Sequence, residues 1–138
     1  MYYNKLLPRM ESGSVSKINL ILEIRGKEKL QCELKRHLSP RTVGIIIRAL
    51  PLEGNAHFLG KNIVYLETPI ESGLERPRRE FKKGDIAFMP ANGSICFFLD
   101  DKDEVKTMTP IGKINSQIDS LKNIKSGDVL ALYPETGW

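Results

Sequence analysis

Lys83-Gly84-Asp85-Ile86-Ala87-Phe88-Met89-Pro90-Ala91-Asn92-Gly93-Ser94-Ile95-Cys96-Phe97-Phe98-Leu99-Asp100 is the stretch that decides the fold. It reads as two buried strands, 86–90 and 94–99, joined by a tight turn. Alternation along such strands sends Phe97 and Phe98 to opposite faces, one into a core and one towards a groove.

Working outward, the same period of two recurs. Residues 17–24 place Ile18, Leu20, Leu22 and Ile24 on one face, and 29–34 place Leu30, Cys32 and Leu34 likewise. Arg25-Gly26-Lys27-Glu28 turns between them, with Gly26 supplying a positive φ. Residues 56–59 and 62–67 flank Gly60-Lys61 as a further hairpin. Short strands follow at 110–114 and 129–133. Ser39-Pro40 opens a helix, because Ser is a preferred N-cap and Pro loses nothing at the first helical position. Val43, Ile46, Ile47 and Leu50 then lie at helical spacing, and Pro51 closes the segment. Gly44-Ile45-Ile46-Ile47 is rich in β-branched residues, so a strand is the second choice there. Ile118, Leu121 and Ile124 predict a short amphipathic helix within 116–124. Residues 68–83 form a long polar loop with a basic end, and 100–104 form a charged surface loop. Antiparallel hairpins with one helix early and one late predict a mainly β protein: a closed barrel of about eight strands capped by two short helices.

A chain of 138 residues fits one domain with a real core. Residues 1–16 read as a polar N-terminal extension and 17–138 as the single barrel domain. The net charge of +4 and pI of about 9.1 are too mild for a nucleic-acid tail or a membrane-surface peptide. No run approaches the ~18 apolar residues that span a bilayer, and the N-terminus lacks a signal peptide's apolar run. Cys32 and Cys96 form no Cys-x-x-Cys pair, so no zinc or redox motif arises. They read as two buried reduced thiols of a cytoplasmic protein, with a disulfide as the minor alternative.

Several segments resemble, in order and spacing, the small prokaryotic cyclophilin-like proteins. Gly84-Asp85-Ile86-Ala87-Phe88-x-Pro90 is similar to that family's Gly-Asp-hydrophobic-x-aromatic-x-Pro strand. Ile95-Cys96-Phe97-Phe98 is similar to its next strand. Pro110-Ile111-Gly112-Lys113-Ile114, followed by Ile118, Leu121 and Ile124, resembles its strand-then-short-helix ending, and Glu75-x-Pro77-Arg78 its pre-hairpin loop. The resemblance covers residues 17–133. It implies an eight-stranded barrel with two helices and no settled activity. True cyclophilins isomerise X–Pro bonds with an Arg that polarises the prolyl amide and a pocket built from a Gln, a Phe and a Trp. Against that pattern Phe98 matches the pocket Phe, Cys96 falls where the Gln belongs, and His57 falls near the catalytic Arg. The pocket Trp has no counterpart, since Trp138 ends the sequence.

His57, Phe88, Met89, Asn92, Cys96 and Phe98 are therefore the candidate ligand-groove residues. His57 could donate a hydrogen bond or exchange a proton near neutral pH, although a satisfied barrel histidine is the plainer reading. A flexible Met beside aromatics suits an apolar groove and suits a core equally. Cys96 has apolar neighbours, which favours a buried, inert thiol over a nucleophile. Asp100, Asp101, Asp103 and Glu104 lack the spacing of a calcium loop, so no metal or other cofactor is expected. Arg76, Arg78 and Arg79, with Lys82 and Lys83, are the candidate anion site, but Phe81 alone makes no stacking platform for nucleic acid.

Three functions compete. The leading one is a non-catalytic binding module for a small molecule or peptide beside the central hairpin. The second is a weak or divergent prolyl isomerase using His57, which polarises an amide less than a fixed guanidinium does. The third is nucleic-acid or anion binding through the loop 76–83. Barrel edges and the N-terminal extension permit a homodimer without requiring one.

Overall fold

The computed structural model describes residues 16–136; the predicted N-terminal extension up to residue 15 lies outside the described residues. Eight strands follow in chain order: β1 (Lys17–Ile24), β2 (Glu28–Lys35), β3 (Leu52–Leu59), β4 (Ile63–Glu67), β5 (Asp85–Met89), β6 (Ser94–Phe98), β7 (Thr109–Ile114) and β8 (Val129–Pro134). They close into a barrel in the order β1-β2-β7-β5-β6-β4-β3-β8, with every neighbouring pair antiparallel. Closure leaves no exposed edge within the barrel wall. No helix among the described residues is long and apolar enough to cross a membrane.

Period-two alternation fills the lumen. Leu20 opposes Cys32 and Leu22 opposes Leu30, and all four point inward. Phe88, Ile95 and Phe97 from the central hairpin complete the interior, each at 0% exposure. The ladder slips where Ile86 faces Gly112 but Ala87 faces Pro110. The extra residue, Ile111, makes a β-bulge, and this is why both Ile111 and Ile114 reach the core despite unequal parity. At Gly112 the backbones of β7 and β2 nearly touch: a Cβ there would sit 2.0 Å from the Glu33 carbonyl oxygen.

The segment 40–49 is the helix α1 (Pro40–Ala49), not the alternative strand. Its buried face, with Val43 and Ile46 and the following Leu50, joins the main core, and that burial outweighs the weak helix propensity of its isoleucines. Its N-terminus departs from expectation. The Ser39 side chain makes no cap; its buried hydroxyl lies 2.7 Å from both the Leu38 and the Pro110 carbonyl oxygens. The cap comes instead from Glu75, in the distant loop, whose carboxylate accepts the N–H of Thr42 at 2.8 Å and of Arg41 at 3.1 Å. Burial works against the charged form of Glu75, but these hydrogen bonds outweigh it and hold its pKa below the ordinary value. The late helix is a 3-10 helix, Ile118–Asn123, rather than an α-helix. Three residues per turn stack Ile118, Leu121 and Ile124 in one line, so their spacing suits this geometry better.

Candidate ligand-binding face

The wall formed by β3, β4, β6 and β5 carries a second apolar layer on its outer side. Register sets its rows. His57, Tyr65, Cys96 and Ala87 lie opposite one another across the four strands. Leu59, Ile63 and Phe98 form the row on one side of it, and Glu67, Ser94 and Met89 the row on the other. Residues 78–81 cross this layer, held by bridges from Arg78 to Met108 and from Phe81 to Lys102. Phe81 stacks on Phe98 with centroids 4.7 Å apart, and the Arg78 guanidinium lies 5.4 Å from the Phe81 ring centre. Ile63, Phe81, Ala87, Met89, Cys96, Phe98 and Met108 thus form a small core outside the barrel.

The six sequence-predicted groove residues are consequently not brought together. Phe88 faces the lumen, because its parity is opposite to that of Ala87 and Met89. Met89, Cys96 and Phe98 share the outer layer but are buried beneath the crossing segment. Asn92 is exposed in the β5–β6 turn, at the far end of β6 from Phe98. His57 is half-buried, stacked on Tyr65 at 5.2 Å, with Nε2 3.8 Å from Glu67 Oε1. Burial pushes the Cys96 thiol up to about 12, so the nucleophilic thiolate is scarce at neutral pH. Cys32 stands in the lumen and Cys96 on the outer face; both are free thiols, not a disulfide.

The predicted anion trio also diverges. Arg76 donates to the His37 carbonyl, Arg78 covers Phe81, and Arg79 Nε donates to the Val105 carbonyl at 3.3 Å. Among the described residues no group of three His, Cys, Asp or Glu side chains is placed to hold a metal ion.

This face also holds a groove of about 350 Å³ between the β3–β4 hairpin and the loop 102–106. Leu59, Ile63 and Val105 line it together with the charged Lys102, Asp103, Glu104 and Lys106. The His57–Tyr65 stack forms the next outward-facing row of the same two strands, beside the Leu59–Ile63 row that lines the groove. Sequence reasoning passed over Tyr65, Leu59 and Val105. The Gly60-Lys61 turn, which pairs Leu59 with Ile63, also places Tyr65 opposite His57, and that signal was available. Val105 sits in a charged loop and carried none.

A closed antiparallel eight-stranded barrel with one helix across its end defines the class. A family model described as cyclophilin-like matches residues 16–132, so the chain belongs to the cyclophilin-like family. The fold is similar to the solution structure of a hypothetical protein from Archaeoglobus fulgidus, with a TM-score of 0.71 and 23% identity over 86% of this chain and 95% of that one. No curated protein matches the chain.

Proposed function

We propose that this uncharacterised cyclophilin-like protein is a binding module, holding a small molecule or short peptide segment in the groove between the β3–β4 hairpin and the loop 102–106. The observation that carries this reading is the exposed Leu59, 39% accessible, set beside Ile63 and Val105 in a groove, with the stacked His57 and Tyr65 rings on the next row of the same strands. Exposed aliphatic and aromatic surface in a concavity, with a few polar groups at its rim, is the usual make-up of a ligand site. The two free thiols, buried on opposite faces of the wall, fit a reducing compartment, and we place the protein in the cytoplasm on that ground.

A thermal-shift screen against metabolites and proline-containing peptides tests the reading, since a ligand that binds only the folded state raises the melting temperature. A hit lost in Leu59→Glu and weakened in Tyr65→Ala supports the groove. A hit indifferent to both substitutions overturns it. In a protease-coupled proline assay the expected rate is the uncatalysed one, because an imidazole polarises an amide less than a guanidinium does. A catalysed rate lost in His57→Ala moves the function to prolyl isomerisation.

A further inference from the structure

A second concavity lies on another part of the barrel wall, where β8 runs between β1 and β3. Register places Ala131 directly between Glu23 of β1 and Glu53 of β3. Two residues along β8, Tyr133 stands opposite Ile21. A side chain that ends at Cβ is thus ringed by long ones, and the result is a pit of about 370 Å³. Its floor is apolar, from Pro51, Leu52 and Ala131; its rim is Glu23, Arg25, Glu53 and Tyr133.

The rim is ordered by its own contacts. Tyr133 donates its hydroxyl to Glu23 Oε1 at 2.8 Å. Arg25 reaches Glu23 Oε2 at 3.4 Å and donates both Nε and Nη2 to Glu53 Oε2, at 3.1 and 2.7 Å. The hydrogen bond from Tyr133, followed by the charge of Arg25, lowers the Glu23 pKa and keeps it ionised. Two carboxylates thus face one guanidinium, and both hydrogen bonds from Arg25 to Glu53 go to Oε2, with none to Oε1 among the described residues. The side chains that line the pit sum to one negative charge, and Lys29 of β2 stands opposite Glu23 at its edge. A cation entering it would meet the second oxygen of the Glu53 carboxylate, the Tyr133 side chain and an apolar floor.

We propose that this pit binds an organic ammonium ion: a protonated primary amine carried on a compact apolar body. The body would lie on Pro51, Leu52 and Ala131, and the ammonium group would reach Glu53 Oε1 beside Tyr133. The site is separate from the groove at Leu59 and stands or falls independently of it.

The test is an amide NMR titration of the full chain with phenethylammonium, and in parallel with 3-phenylpropionate, which carries a similar body with the opposite charge. The expected result is shifts at Leu52, Ala131 and Tyr133 with the amine and none with the acid. Ala131→Phe fills the pit from its floor and should abolish the shifts; Ala131→Leu does the same with less bulk should the larger ring disturb the barrel. Glu53→Gln should weaken binding by about tenfold. Three results overturn the proposal: no shift up to ~10 mM amine, equal binding of the acid, or amine binding that survives filling of the pit.

Discussion

Replacing Glu75 by Ala should destabilise the protein through a helix that lies 33 residues away in sequence. The helix α1 has no acidic residue in its first turn and no side-chain cap of its own. Its N–H groups at Arg41 and Thr42 depend on the Glu75 carboxylate. Losing a cap costs typically about 1 kcal/mol, and hydrogen bonds to a charged group sit at the upper end of the usual range, so the two together are worth roughly 2 kcal/mol. For a domain of this size that corresponds to a fall in melting temperature of about 6–10 °C. Glu75→Gln keeps one acceptor oxygen without the charge and should lose about half as much. The pH dependence separates this account from a packing effect. The folded pKa of Glu75 is depressed, so its contribution is fully present above the ordinary value of 4.5 and is lost as pH falls through the lower folded value. Thermal or urea unfolding of parent and Glu75→Ala, followed across this range, should show a gap at neutral pH that closes in acid. A gap that persists unchanged in acid, or is absent at neutral pH, refutes the capping argument.

Phe81→Ala removes the ring that seals the outer layer over Phe98, where Phe81 is 1% exposed, and should cost about 3–5 kcal/mol in urea unfolding; an unchanged midpoint would show that the segment 78–81 does not hold that layer. Gly112→Ala should prevent barrel closure, since its Cβ would lie 2.0 Å from the Glu33 carbonyl oxygen and 2.9 Å from Leu34 Cα, both backbone atoms; a native circular-dichroism spectrum and melting curve would contradict this. Cys32 and Cys96, both pushed up to about 12 by burial, should resist Ellman's reagent in the native protein at neutral pH and react fully once it is unfolded; rapid labelling of the folded chain would place a thiol at the surface.

Local pattern alone settled much of this protein. Side chains alternate every two residues whatever the rest of the chain does, so Leu20, Leu22 and Ile24, or Phe97 against Phe98, could be assigned to faces by counting. Pro40 marked the helix start through its own covalent geometry, and Gly26 and Gly60 marked turns through their left-handed φ. The family resemblance came from such local motifs in order. Tertiary structure decided whatever depends on which distant segments meet. Nothing near Glu75 signals that it caps α1, and nothing near Phe81 signals that it covers Phe98. Ala131 gives no sign of a pit until barrel closure sets β8 between β1 and β3 and brings Glu23 and Glu53 to its sides. Periodicity is a property of a few neighbouring dihedral angles. A cap, a cover or a pit is a property of register between strands far apart in the chain, and that is fixed only when the barrel closes.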